Sequence, residues 1–320
     1  MVQCYCERLT ANLGRWRSLS LLLCVVGLII GMAGCFGGFC PPPASSVSRW
    51  PFFDDLGSYA VYALDMVSAS EGWAAGDGGK FYKYSAGAWS EFIDLGSYAV
   101  YALDMVSASE GWAAGDGGKF YKCTAGVWSE FVDLGSYIVY ALDMVSASEG
   151  WAAGDGGKFY KCTAGVWSEY VDLGDYSIYA LDMVSASEGW AAGTSGKFYK
   201  YSAGVWSEFV DLGGYSIRAL DMVSASEGWA AGYGGKFYKY TAGAWSEFVG
   251  LGASEIRTLD MVSASEGGAA GAGGHFYKYT AGAWSEFVDL YGPSIYALDM
   301  VSATEGWAVG EQGWVYHGVP

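Results

Sequence analysis

Basic residues and histidines are scarce in this chain of 320 residues. Lysine and arginine together number 17 against 34 aspartates and glutamates, so the net charge is -17 at pH 7. Nucleic-acid binding needs a basic stripe that meets phosphates, and a body this acidic argues against that function. With only His275 and His317 present, a histidine metal site is not expected, and the sequence predicts no metal and no other cofactor.

Catalytic motifs and helix-length segments are also missing from the body of the chain. It contains no P-loop, no Gly-x-Ser-x-Gly and no cluster of histidine with cysteine or serine. Carboxylates recur everywhere, so a pair of them carries little information about catalysis. Glycines and serines leave no run suited to a helix of about 10–12 residues. An enzyme is therefore not predicted, and a glycosidase is kept only as a remote alternative.

Internal repetition is what the chain has in abundance. The first copy contains four short runs, AVYALDMV, GWAA, KFYKY and AWSEFI, joined by links rich in glycine and serine. The runs are rich in residues that favour strands, and the links favour tight turns. Four antiparallel strands per period of about forty residues predict one propeller blade. The triplet Leu-Asp-Met marks the period of 39 residues and recurs at Leu64, Leu103, Leu142, Leu181, Leu220, Leu259 and Leu298.

The two ends of the repeat array predict how the ring closes. The last copy stops at Gly318, after its third strand, whereas Trp50 to Gly57 align with the fourth strand of the other copies at the same offset of 39 residues. We therefore expect an N-terminal strand to complete the last blade. The predicted fold is all-β: a seven-bladed β-propeller of 39-residue, four-stranded blades over residues 50–320.

The first 49 residues predict export and tethering. Arg8, Arg15 and Arg17 precede an apolar run that ends in Met32-Ala33-Gly34-Cys35, and this order of basic, apolar and small residues is typical of a signal peptide. Residues 1–34 are predicted to be a signal of the lipoprotein type, with lipid attached to Cys35. Residues 35–49 read as the lipidated cysteine and a flexible tether. Plain cleavage, giving a secreted protein, and an uncleaved anchor remain alternatives.

Differences between the copies predict a functional face. They concentrate in the link that enters the first strand and in the link between the second and third strands. In an antiparallel blade these two links emerge on the same face of the disc, and function tends to lie on loops that a rigid scaffold carries. Drift at positions that packing does not constrain is the alternative explanation. The acidic column that begins at Asp65 is expected to accept hydrogen bonds, with a cation-binding ring as its alternative.

Two arginines single out the fifth and sixth copies within this face. Arg218 and Arg257 stand where the other copies have tyrosine, and two guanidinium groups can hold a carboxylate or phosphate in bidentate fashion. The sixth copy is irregular, because Gly268 replaces a tryptophan and should leave a gap or a local collapse. We expect a ligand site over these two blades, formed by Arg218, Arg257, Tyr179, Tyr296, Tyr233 and His275.

The repeat resembles that of the photosystem II assembly and stability factor family, within the wider group of BNR and Asp-box-like propellers. The residues that carry the resemblance are Ser68 through Gly76, then Gly78-Gly79, then Phe81-Tyr82, and finally Gly87-Ala88-Trp89. The resemblance covers all seven copies and implies an exported, seven-bladed propeller that acts through protein contacts. The aspartate of the Asp-box is missing here, and an arginine triad of the sialidase kind cannot be assembled from two arginines.

The sequence as a whole predicts a binding protein. The first hypothesis is a membrane-tethered, extracytoplasmic scaffold in the cell envelope that binds a protein partner. The alternative is a glycan-binding, lectin-like module with repeated shallow sites, which near-identical blades would offer to a repetitive target. The partner is accordingly a protein or an envelope glycan, with a membrane contact through the lipid and no nucleic acid.

Overall fold

The computed structural model describes residues 50–252 and 254–318. The predictions for residues 1–34 and 35–49, including lipidation of Cys35, lie outside these residues. Nowhere in the described part does a helix combine the length and the hydropathy that crossing a bilayer takes.

Within the described residues, twenty-eight strands form seven antiparallel sheets of four, and each sheet is one blade. The blades are numbered along the chain, and their strands are listed from the inside of the ring outward. Blade one comprises β2 (Val61–Ser68), β3 (Glu71–Gly76), β4 (Lys80–Ser85) and β5 (Ala88–Asp94). Blade two comprises β6 (Val100–Ser107), β7 (Glu110–Gly115), β8 (Lys119–Thr124) and β9 (Val127–Asp133). Blade three comprises β10 (Val139–Ser146), β11 (Glu149–Gly154), β12 (Lys158–Thr163) and β13 (Val166–Asp172). Blade four comprises β14 (Ile178–Ser185), β15 (Glu188–Gly193), β16 (Lys197–Ser202) and β17 (Val205–Asp211).

The remaining blades follow the same order. Blade five comprises β18 (Ile217–Ser224), β19 (Glu227–Gly232), β20 (Lys236–Thr241) and β21 (Ala244–Gly250). Blade six comprises β22 (Ile256–Ser263), β23 (Glu266–Gly271), β24 (His275–Thr280) and β25 (Ala283–Asp289). Blade seven comprises β26 (Ile295–Asp299), β27 (Gly306–Gly310), β28 (Trp314–Gly318) and, from the start of the chain, β1 (Phe52–Asp55). The second and third strands of every blade are joined by a single 3-10 turn, at Asp77–Gly79, Asp116–Gly118, Asp155–Gly157, Thr194–Gly196, Tyr233–Gly235, Ala272–Gly274 and Glu311–Gly313.

The ring closes as predicted. Strand β1 pairs antiparallel with β28, with Phe52 opposite Tyr316 and Asp55 opposite Trp314. The pairing is shorter than in the other blades and shifts register between Phe52 and Asp54. Trp50, predicted to begin this strand, precedes it. The predicted all-β, seven-bladed architecture is confirmed.

Tryptophan side chains form the core between blades. Trp73 has no solvent exposure, and its ring meets Trp128 of blade two edge to face, with centroids 5.9 Å apart. Trp128 in turn stacks on Phe81 of blade one at 4.6 Å. An indole buries about 150–250 Å², so this repeated contact is a main source of apolar packing between neighbouring blades. Full burial of the Trp73 column also confirms core packing over a sugar-stacking role for it.

The column of Asp65 forms a second, polar set of contacts between blades. Asp65 Oδ2 accepts a hydrogen bond from the backbone N–H of Met105 in the next blade at 2.5 Å. The same bond recurs at all seven interfaces, from Asp65, Asp104, Asp143, Asp182, Asp221, Asp260 and Asp299. The expected role as hydrogen-bond acceptor is therefore confirmed. Burial raises the pKa of Asp65 to about 6 and that of Asp299 to about 8.

Candidate functional site at the channel mouth

The two variable links lie on one face of the disc, as predicted. The backbone N–H of Asp77, in the 3-10 turn of blade one, donates to the carbonyl of Ala60 just before the first strand, at 2.9 Å. The middle residue of this turn needs a positive φ, which is 65° at Gly78. Ser195 takes the same conformation at 61°, an arrangement that few residues other than glycine tolerate. The backbone conformation of these turns is therefore the same in every blade, while the side chains they carry differ among the blades.

A ring of side chains surrounds the opening of the central channel on this face, and we call it the channel mouth. Tyr62 lies between Tyr101 and Tyr296, with ring centroids 4.9 Å away on each side. The tyrosines continue through blades three and four at spacings of 5.7 and 5.2 Å. Together they enclose an opening of about 220 Å³. The channel mouth consists of Tyr62, Tyr101, Tyr140, Tyr179, Arg218, Arg257 and Tyr296.

The two arginines share one carboxylate. Arg218 Nε donates to Glu255 Oε1 at 2.8 Å, and Arg257 Nε donates to Glu255 Oε2 at 3.0 Å. The Glu255 side chain is 11% exposed, whereas those of Arg218 and Arg257 are 28% and 26% exposed. The cluster therefore carries one net positive charge at the surface. Sequence reasoning missed Glu255, although it is the only charged residue in a column that otherwise holds Ala, Ile or Ser.

Tyrosines hold the arginines in place. The Arg218 guanidinium lies 3.9 Å from the ring centroid of Tyr179, and its Nη2 donates to the Tyr233 hydroxyl at 3.1 Å. Arg257 lies 4.8 Å from the ring of Tyr296. Such cation–π contacts are worth about 0.5–2 kcal/mol. Five of the six residues predicted for the ligand site are thus brought together.

His275, the sixth predicted residue, belongs to different surroundings. It starts β24, the third strand of blade six, and its Nδ1 lies 3.4 Å from Glu286 Oε1 and 4.0 Å from Asp289 Oδ2. These three side chains could reach a metal ion. In blade one the equivalent carboxylates hold the amine of Lys80, at 2.7 Å from Glu91 and 3.5 Å from Asp94. The arrangement at His275 is therefore that of an ion-pair position in which histidine replaces lysine.

Acidic residues lie beside the tyrosines of the channel mouth. Burial raises the pKa of Tyr101, and the neighbouring carboxylate of Asp116 raises it further. The same causes, with Asp155 as the acid, raise the pKa of Tyr140. Blades one to three therefore present acids beside tyrosines, while blades five and six present arginines. Blade seven also has an acid, Glu311, whose Oε1 accepts from the Tyr296 hydroxyl at 3.1 Å. A ligand with a carboxylate at one end and a cation at the other would match this polarity.

An outer circle of tyrosines surrounds the channel mouth on blades one to five. These rings are 41–47% exposed, and a lysine amine lies beneath each one, as Lys80 Nζ does 5.1 Å from the ring centroid of Tyr59. Sequence reasoning did not select this column, although tyrosine at five equivalent loop positions was a usable signal. Its members are Tyr59, Tyr98, Tyr137, Tyr176 and Tyr215.

Comparison with known proteins supports the fold. No protein-family model and no curated protein matches the sequence. A solved structure described as YCF48 bound to D1 peptide has a TM-score of 0.70 and 16% identity, covering 87% of this chain and 97% of that one. YCF48 from Cyanidioschyzon merolae has a TM-score of 0.69 and 16% identity, covering 85% and 99%. The WD40 propeller domain of Doa1 has a TM-score of 0.71 and 12% identity, covering 84% and 96%. The expected likeness to photosystem II assembly factor propellers is confirmed at the level of the fold.

Proposed function

We propose that this protein is a protein-interaction scaffold that binds an extended segment of a partner protein across its channel mouth. The observation that carries the proposal is the polarity of this surface, with Arg218 and Arg257 on one side and Asp116 and Asp155 on the other. A peptide with an acidic group and a basic group several residues apart would complement it. The structural likeness to a YCF48 propeller described with a bound peptide supports the same class of partner.

The Arg218–Arg257–Glu255 cluster is the proposed anchor for the peptide carboxylate. Each Nε is taken by Glu255, and the terminal nitrogens are the groups through which arginine makes forked contacts with carboxylates. Tyr179 and Tyr296 restrict the movement of the two guanidinium groups. Such preorganisation lowers the entropy cost of binding.

We further propose that the propeller is held outside the cytoplasm on a membrane by lipid on Cys35. The support is the order of Arg8, Arg15 and Arg17, an apolar run and a small-residue pair before Cys35. Metabolic labelling with an alkyne fatty acid tests it: label should enter the wild type and not Cys35→Ser. Label retained in Cys35→Ser would remove the lipid from the proposal and leave secretion or an uncleaved anchor.

A peptide array tests the scaffold proposal. The full chain should bind peptides that combine acidic and basic residues, and Arg218→Ala/Arg257→Ala should weaken binding at least tenfold. The matched control is Lys122→Ala/Lys161→Ala, which removes the same two charges from side chains that lie over Trp112 and Trp151. Equal loss in both double variants would indicate a general charge effect and contradict a site at the channel mouth.

Glycan binding is the second candidate, and the outer circle of exposed tyrosines favours it. Five equivalent rings, from Tyr59 to Tyr215, could each stack on a sugar. A glycan array run beside the peptide array separates the two. Saturable glycan binding that falls stepwise in Tyr98→Ala and Tyr98→Ala/Tyr137→Ala, but persists in the arginine double variant, would replace the scaffold by a lectin.

A further inference from the structure

A cavity opens between blades six and seven, where two aromatic side chains of the repeat are missing. Its volume is about 60 Å³, several times what a single water needs but well under that of an engineered cavity that binds benzene, about 150 Å³. An aromatic ring therefore enters only if part of the cavity wall moves. Gly268 stands where every other blade has a buried tryptophan, and Gly318 stands where blades one, four, five and six have tyrosine. Trp50, Phe276, Phe287, Leu298 and Met300 are among the residues around the cavity. The gap expected from Gly268 is therefore present.

The other blades show what fits this space. In blade one the indole of Trp73 meets Phe92 edge to face at 4.9 Å, and Lys83 Nζ lies 4.9 Å from the indole centroid. Trp128 of the next blade closes another side at 5.9 Å. Phe287, Lys278 and Trp50 are the equivalents of these three neighbours, and all three line the cavity. The environment of an indole is thus retained without the indole.

A hydrogen-bond acceptor for an indole N–H is retained as well. In blade two, Trp112 Nε1 donates to the carbonyl of Ala147 in the neighbouring blade at 3.2 Å. The other five indoles of this column make no such bond, at Trp73, Trp151, Trp190, Trp229 and Trp307. The equivalent carbonyl beside the cavity belongs to Ala303, and Lys278 Nζ donates to it at 3.3 Å. Because a carbonyl oxygen has two lone pairs, it can accept from both a lysine and a ligand.

Gly318 removes a second ring from the same place. In blades three and four, the indole of Trp151 packs on Tyr201 at 4.6 Å, and Gly318 takes the position of that tyrosine in blade seven. The indole of Trp50 leans over Gly318, so that a Cβ added there would lie 2.8 Å from Trp50 Cε2. Trp50 thereby closes the side that the tyrosine would close. Met300 Sδ and Leu298 Cδ2 border the space beside Gly268, 3.1 and 3.3 Å from where a Cβ would lie.

The wall on the side of blade seven is the irregular part of the ring. Strand β26 ends at Asp299, whereas the equivalent β22 continues to Ser263. Residues 300–305 form a turn in which the N–H of Ser302 donates to the carbonyl of Glu305 at 2.9 Å. Met300 and Thr304 of this segment line the cavity. A wall without strand pairing can yield more easily than a strand, which gives a small molecule a way in.

We propose that this cavity binds a free planar aromatic molecule of the indole class. The ring takes the place of the missing side chain at Gly268, its N–H donates to the Ala303 carbonyl, and the Lys278 ammonium lies over its face. The tryptophans at the equivalent positions have no solvent exposure, as Trp73 and Trp229 show. Such a closed space admits a free ring more readily than a side chain that must stay attached to another protein.

Binding of 5-fluoroindole, followed by 19F NMR on the full chain, tests the proposal. The wild type should show one saturable site, and Gly268→Trp should lose it, with affinity at least tenfold weaker, because the protein's own indole fills the space. Gly268→Phe is the second filled variant if Gly268→Trp does not fold. The matched control is Trp229→Gly, which opens the same space in regular blade five and should add a second site.

Each outcome either supports or contradicts binding of a free indole in this cavity. Binding by Trp229→Gly only at the new site, with none at blade six, would show that the natural cavity does not admit the ring and would overturn the proposal. Equal binding by the wild type and the filled variants would mean that the probe sits elsewhere, with the same result. Weaker binding of 1-methylindole than of indole would support the contact with Ala303. N-acetyltryptophanamide binding as tightly as indole would identify an attached side chain as the occupant, contrary to the proposal of a free molecule.

Discussion

The interface between blades one and two and the interface between blades six and seven are built on one plan and differ most in their aromatic layer. Both have the inner hydrogen bond from aspartate to the methionine N–H of the next blade, at 2.5 Å for Asp65 and for Asp260. In the outer layer, Trp73 fills the first interface completely, whereas Gly268 leaves a cavity in the second. The polar layer therefore keeps its geometry without the aromatic layer. The two layers can therefore be altered separately.

Opening an interface that a tryptophan fills should lower the free energy of unfolding more than any other change. Trp151→Gly removes an indole that packs on Tyr201, Trp206 and Tyr170, and we expect a loss of about 3–5 kcal/mol in the free energy of unfolding. Urea denaturation followed by circular dichroism measures it. A loss below about 1 kcal/mol would mean that regular interfaces do not depend on their tryptophans, and the contrast with blade six would disappear.

Changing the pH should act on the polar layer alone. An unfolded aspartate has a pKa near 3.8, while burial raises the pKa of Asp221 to about 7 and of Asp299 to about 8. The folded protein thus holds more protons between about pH 4 and pH 8, and the free energy of unfolding should fall as the pH rises through this window. For Asp299→Asn, which needs no proton, we expect a gain on the order of 1–3 kcal/mol at pH 8 and a flatter pH dependence.

The measurement is urea unfolding at pH 5, 6.5 and 8 for the wild type, Asp299→Asn and Gly268→Trp. The pH slope of Gly268→Trp should equal that of the wild type, because filling the outer layer leaves the carboxylates untouched. A changed slope in that variant would show that the layers are coupled. A stability that rises with pH in the wild type would contradict the raised pKa values.

Filling the cavity should make the second interface like the first. Gly268→Trp restores the indole, and its Cβ would lie 3.1 Å from Met300 Sδ, the flexible part of a side chain that can move aside. We expect a gain of about 1–2 kcal/mol in the free energy of unfolding, measured as a rise in the urea midpoint. A loss of stability would mean that blade seven has repacked around the gap and that the two interfaces are no longer interchangeable.

Removing a hydrogen bond that the second interface has and the first lacks should lower the free energy of unfolding the least. Thr258 Oγ1 accepts from the backbone N–H of Leu298 in blade seven at 3.0 Å, where the first blade has Ala63. Thr258→Ala should cost about 1 kcal/mol, measured by thermal unfolding, while Thr258→Ser should cost less because it keeps the hydroxyl. Equal costs for both variants would assign the effect to packing of the methyl group instead.

The sequence predicted the architecture because repetition multiplies every local signal by seven. One glycine pattern and one run of strand-forming residues are ambiguous, but the Leu64 period and the offset of Trp50 fix the blade count and the closing strand. The candidate site was predicted less completely. Variation among the copies identified Arg218 and Arg257. Their shared ion pair with Glu255 could not be predicted, because it depends on which side chains of neighbouring blades are close enough to touch, and the sequence does not give those distances. His275 was grouped with the arginines because its blade is irregular, whereas its ion-pair contacts in the structure are with Glu286 and Asp289.

The order in which the strands leave the ribosome follows from the closing strand. Strand β1 is synthesised first among the strands, and its partner β28 is synthesised last, with Phe52 opposite Tyr316. The growing chain must therefore keep strand β1 unpaired until β28 has been synthesised. Because pairing across such a separation costs loop entropy and slows folding, we expect blade seven to form last. A chain cut short before β28 would leave both β1 and the edge of β27 without partners, and such open strand edges favour aggregation.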